Sequence, residues 1–194
     1  LGRALPAGDK ATHLLADIAA AEFRAGLEAE GMAHVRAVTN SQARDRALAE
    51  IARHLLAAGR LDEAVAAAGG IAAAETKAEV MAAHAEALTK AGRLDDALRA
   101  ADALSRDYRR SKAFAALAVP LARAGRARDS ENALRSAGGL ARSIGDPWQR
   151  GVGLASVVGA LADLGRYDEA EEEARRIEHQ DLRNYGFHMI ASAQ

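Results

Sequence analysis

A glycine recurs in one setting along this chain: AAGRLDEA, KAGRLDDA, RAGRARDS and DLGRYDEA place it at residues 59, 92, 125 and 165, at intervals of 33, 33 and 40. A step of 33 back from Gly59 reaches Gly26, in RAGLEAEG. A period of this length constrains the fold more than any single motif does. A unit this small cannot enclose a core and has to bury its apolar side against its neighbours.

The residues around each glycine keep register. Four before it stand Leu55, Leu88, Leu121 and Leu161, and seven before it Ala52, Ala85, Ala118 and Val158. Eight before it come Ile51, His84, Leu117 and Val157, and eleven before it Leu48, Met81, Phe114 and Leu154. Offsets of three, four and seven make a single helical stripe. Beyond the turn, Ala64, Ala97, Ser130 and Ala170 lie five residues on, and Ile71, Leu104, Ala137 and Ile177 twelve on, which predicts a second amphipathic helix. Glycine supplies the backbone conformation that ends the first helix, and the acidic residues just past it suit the positive N-terminus of the second.

Each unit is therefore expected to be an αα-hairpin. A tail over residues 1–10 precedes units at about 11–42, 43–75, 76–108, 109–148 and 149–181, with a partial sixth over 182–194. The fourth is long, which predicts an extended second helix through Leu134, Ala137, Leu140, Ala141 and Ile144. It is expected to stop at Gly145-Asp146-Pro147, where Asp suits an N-cap and Pro the first helical position. Pro120, inside a first helix, predicts a local kink.

These residues resemble the tetratricopeptide repeat, with Leu48, Ile51, Ala52, Leu55, Gly59 and Ala64 in the corresponding places of the second unit. Leu replaces the usual Tyr, Ala68 and Ala101 replace the second-helix aromatic, and Thr76 stands about where Pro closes a repeat. The run ARSIGDPWQRGVGLA followed by LADLGRYDEAEEEARRI resembles the Ala- and Arg-rich arrays of large actinobacterial signalling proteins. The resemblance implies an all-α fold, a right-handed α-solenoid of stacked helix pairs. It also implies a sensor or scaffold segment of a larger protein that takes a peptide or protein segment in a concave groove.

Phe187 and Ile190 fall in register with Met81 and His84, so the chain stops inside a first helix. The parent protein is expected to continue past Gln194, and the open end to self-associate. Aromatic residues make up 4% of the sequence while Ala dominates its apolar content, which fits closely packed helices. A net charge of -1 gives no general drive toward nucleic acid or anionic lipid, and the chain has no Cys and no run of 18 apolar residues. A cytoplasmic protein that binds neither nucleic acid nor membrane is expected.

No catalytic set stands out, and neither an enzyme nor a cofactor is expected. His13, His34, His54, His84, His179 and His188 lack metal-binding spacing, and His84 falls on the apolar stripe. No nucleophile elbow or phosphate loop occurs; Gly69-Gly70 and Gly138-Gly139 read as helix breaks or close crossings. The acidic run Glu169, Glu171, Glu172 and Glu173 reads as a solvated helix face, and Trp148 as packing at the start of its helix.

In the resembled family the first helices line the groove. The matching inward positions are Arg46, Glu79, Lys112 and Val152, then Arg53, Glu86, Val119 and Gly159, then Ala57, Lys90, Arg123 and Asp163, over a floor of Ala49, Ala82, Ala115 and Ala155. Arg46, Arg53, Glu86, Lys90, Lys112 and Arg123 are the expected partner-binding residues. A structural or autoinhibitory accessory role in a multidomain signalling enzyme is the alternative. RNA binding is disfavoured by the mixed charge and by the lack of a base-reading pattern.

Overall fold

The computed structural model describes residues 9–105 and 107–194. Every element among them is an α-helix, and none is long and apolar enough to cross a membrane. Residues 1–8 of the expected tail lie outside the described residues, whereas 9 and 10 already belong to the first helix.

The chain divides into two compact units, residues 1–87 and 88–194. The first contains α1 (Asp9–Arg24), α2 (Glu28–Ala37), α3 (Ser41–Ala57) and α4 (Leu61–Gly69), and α5 (Ala74–Lys90) runs from it into the second. In this unit α1 packs on α2 and α3, and α3 on α4. Their shared core joins Phe23, Val35, Leu48, Ile51, Leu55, Ala64, Ala68 and Ile71.

The second unit contains α6 (Leu94–Asp102), α7 (Asp107–Arg123), α8 (Ala127–Ser143), α9 (Pro147–Asp163), α10 (Tyr167–Arg175) and α11 (Gln180–Ala193). Here α7 packs on α6, α8 and α9, while α9 also meets α8, α10 and α11. Leu117, Leu121, Leu154, Val158 and Ile177 are the large side chains at its centre. His84 is buried, as its place on the stripe requires, and Met81 in the same stripe is only half-buried.

The five recurring glycines all have positive φ, from 73° to 88°. At each, the residue after the glycine donates its N–H to a carbonyl five positions back, as Arg60 does to Leu55 at 2.9 Å, Arg126 to Leu121 at 2.9 Å and Arg166 to Leu161 at 2.9 Å. This closure satisfies carbonyls that the helix end would orphan, and the next helix starts within a few residues.

The helix after Gly125 is the long one. α8 spans 17 residues where α4, α6 and α10 span 9, and it runs unbroken through Gly138-Gly139. Asp146 then accepts the Gln149 N–H at 2.7 Å, with Pro147 at the start of α9. α7 runs unbroken through Pro120. The carbonyl that loses its donor belongs to Ala116, an exposed residue where water can replace the missing N–H.

Candidate functional site

The residues expected to bind a partner fall into two electrostatic situations. In the first unit, Arg46 on α3 reaches Asp17 on α1 at 2.5 Å, and Arg53 two stripe positions on stands 3.6 Å from Glu79 on α5. Glu86 is exposed on α5. Both arginines thus have a neighbouring helix's carboxylate within reach, and the face they share is compensated from within.

In the second unit, Lys90 is exposed at the end of α5, and Lys112 and Arg123 are exposed on α7. Lys112 and Arg123 make neither an ion pair nor a hydrogen bond with any described residue. They lie on a stripe that runs Tyr108, Lys112, Ala115, Val119 and Arg123, at helical steps of four, three, four and four.

Beside it, α9 presents Trp148, Val152, Ala155 and Gly159 at the same steps, and α11 presents Tyr185 and His188. The register of α9 against α11 is set by close approaches. A Cβ placed on Gly151 would stand 2.8 Å from Leu182 Cδ1, and one on Gly159 would stand 3.2 Å from Met189 Sδ. On the other flank, a Cβ on Gly153 would meet Ala141 Cβ at 3.0 Å and Ser111 Oγ at 3.1 Å. Ser111 is itself pinned, donating to the Ala137 carbonyl at 2.9 Å. Glycine at these points lets the helices that carry the stripe approach one another.

Two aromatic side chains on this face are largely in water: Trp148 is 53% exposed and Tyr185 55%. Trp148 does not bury itself at the start of α9. It stands edge-on to His179 at the start of α11, with ring centroids 4.9 Å apart and planes at 84°. Tyr185 continues the column that holds Lys112 and Val152, so a further step of 33 from Val152 finds it in the sequence. At the head of the α7 stripe the Arg109 guanidinium lies 4.9 Å from the centroid of the Tyr108 ring.

Most of the remaining charge is structural. The arginine after the turn glycine bridges its own second helix and a preceding one: Arg60 to Glu63 and Glu28, Arg126 to Asp129 and Asp95, Arg166 to Glu169 and Glu131, at 2.5 to 2.8 Å. These hydrogen bonds hold the Glu28, Glu63 and Glu169 carboxyls below their ordinary range and raise the arginines. A second set ties the first turn of a helix to the segment before it, with Arg150 donating to the Ile144 carbonyl at 2.8 Å and Arg183 to that of Ile177 at 3.3 Å.

The acidic run of α10 is neutralised locally: Glu171 pairs with Arg175 at 2.6 Å, Glu172 with Arg176 at 2.5 Å and Glu173 with Arg142 at 2.7 Å. Among the described residues no three His, Cys, Asp or Glu side chains are grouped so as to hold a metal ion. Of the histidines, His34 meets Glu22 at 2.5 Å, His54 packs edge-on to Phe23, and His179 braces Trp148. The α7–α9–α11 face joins the exposed Trp148 and Tyr185 with Lys112, Arg123, Asp163 and Asp181 over a floor of small residues. Comparison with protein-family models, with curated proteins and with solved structures gives no match for this chain.

Proposed function

We propose that the chain is a tetratricopeptide-like α-solenoid of about five hairpins and a partial sixth. On this reading it serves as a protein-interaction scaffold or sensor segment of a larger signalling protein, binding a peptide or protein segment along its first helices. The reading rests on one observation above all. The side of α7, α9 and α11 that carries the stripe keeps Lys112, Trp148 and Tyr185 exposed over Ala115 and Ala155, although the same helices are packed on their other sides. Large aromatics and unpaired cations held over small residues are what an extended or helical segment needs for anchors and close backbone approach.

The experiment is a pull-down from a lysate of the organism that makes the chain, with wild-type protein and an Arg53→Glu, Lys112→Glu variant as parallel baits. A partner retained by the first and lost from the second, with helicity unchanged, supports the reading. Identical recovery from both removes it.

An accessory role, structural or autoinhibitory, is favoured by a separate observation: Arg46 and Arg53 already have carboxylates of their own unit within reach. Self-association through α11 is a further reading. Phe187 is 36% exposed there, whereas Leu48, Phe114 and Leu154 at the matching position are buried. A concentration-independent monomer in sedimentation would remove that reading.

A further inference from the structure

We infer that α8 is a two-state element: the continuous helix described above, and a shorter one that ends at Gly138-Gly139 and leaves residues 140–143 as an open connector ahead of α9. This holds whatever the chain binds. The place where the glycine pair falls is the first ground. Ala137 occupies the position of Ile71, Leu104 and Ile177, and each of those lies two residues beyond the end of its own helix, α4, α6 or α10. The pair thus stands where the other second helices have already stopped, and α8 continues through it for more than a turn.

The continuous helix does not ask for glycine at either place. Neither residue has positive φ, unlike the five turn glycines. A Cβ on Gly139 would meet nothing within 4 Å. The nearest atoms to one on Gly138 would be those of the Arg142 guanidinium, from 3.0 Å, the movable end of a long side chain. Gly151 and Gly153, by contrast, are crowded by neighbouring helices. Two glycines inside a helix weaken it against a break at that point, and glycine most readily takes the left-handed turn with which the chain's first helices end.

The segment beyond the pair is lightly held. Of its side chains only Ala141 is fully buried, against Gly153 of α9; Leu140 is half-buried, and Arg142 and Ser143 are exposed. Arg142 donates to Glu173 Oε1 on α10 at 2.7 Å, but Arg176 reaches the same oxygen at 2.5 Å, and Glu173 Oε2 is buried with no hydrogen bond from any described residue. Losing Arg142 therefore leaves Oε1 its second donor, while opening lets water reach Oε2. Downstream the chain is anchored again, because Ile144 is buried and its carbonyl accepts from Arg150 at 2.8 Å. A weak stretch between two fixed points opens as a unit instead of fraying from its end.

Native-state hydrogen exchange on the whole chain, resolved to single amides by NMR, tests this. The amides of residues 140–143 should exchange at one common rate, about tenfold or more faster than those of residues 134–137, with the step falling at the glycine pair. Gly139→Ala should slow that common rate by about fivefold, the helix-propensity difference between Gly and Ala. Glu173→Ala should raise it by roughly threefold, with the amides of α7 and α9 unchanged in both variants. Rates for residues 140–143 equal to those of 134–137 overturn the inference, as does a graded rise toward Ser143, the signature of ordinary end fraying. A common fast rate that ignores both substitutions overturns it too.

Discussion

The Asp45 carboxylate, inside α3, accepts the backbone N–H of Ala73 across 28 residues of sequence at 2.7 Å, and that of Ala72 at 3.0 Å. Asp45 is only 3% exposed, so one buried anion ties α3 to the segment that begins α5. Asp45→Ala should cost about 1–3 kcal/mol, because two donors lose a charged acceptor. Asp45→Asn should recover little of this, since one of its amide faces turns a donor toward a donor. Urea denaturation of the three proteins tests the prediction, and equal midpoints would refute it.

Asp45 also marks where sequence reasoning stopped short. The helices and their stops were legible because a helix stop needs a local signal, Gly at positive φ, and the stripe needs only periodicity. The long α8 followed from the same count, as did its stop at Asp146-Pro147. Fourteen residues before the turn glycines, however, stand Asp45, Ala78, Ser111 and Gly151, all buried. A periodicity argument takes a polar residue there for an exposed one, because its partner lies some 27 residues away on another element. The candidate site was half legible for the same reason. Arg46 and Lys112 look alike in the sequence, and only the packing of α1 against α3 gives Arg46 its carboxylate. Trp148 packs at the start of its helix against His179 yet stays 53% exposed, and helix position alone does not say which neighbour a side chain finds.

Stability in acid should depend on the Arg60 cluster. Its hydrogen bonds hold the Glu28 and Glu63 carboxyls below their ordinary value of 4.5. A carboxyl whose folded pKa is depressed contributes stability that is present above its unfolded value and lost as pH falls through the folded one. Between about pH 5 and pH 3 the thermal midpoint of the wild type should therefore fall more steeply than that of Arg60→Gln, with the two curves converging. Parallel curves would contradict the cluster's role.

Two glycine substitutions should fail for different reasons. Gly125 has φ of 75° and nothing within 4 Å of an added Cβ, so Gly125→Ala should lose about 1–2 kcal/mol from backbone strain alone. At Gly31 in α2 the added Cβ would lie 2.7 Å from the Ala19 carbonyl oxygen. The gain in helix propensity, about 1 kcal/mol, is set against overpacking of about 1–3 kcal/mol on rigid backbone, and the balance should be a loss. A stabilised Gly31→Ala in chemical denaturation would show that α1 and α2 do not approach as closely as described.

Pro120 should be a repairable weakness. It removes one hydrogen bond from α7 without ending the helix, so Pro120→Ala should raise stability by about 1–3 kcal/mol. An unchanged or lower unfolding midpoint would mean that the proline sets a local geometry the neighbouring helices require.

On the function proposed above, the α7–α9–α11 face meets another protein. The most direct measurement replaces Tyr185 with a benzophenone-bearing amino acid and irradiates the chain in lysate, with the same substitution at Arg175 on α10 as control. A discrete cross-linked product from position 185 and none from 175 is the predicted result; no product from 185, or the same products from both, would contradict it.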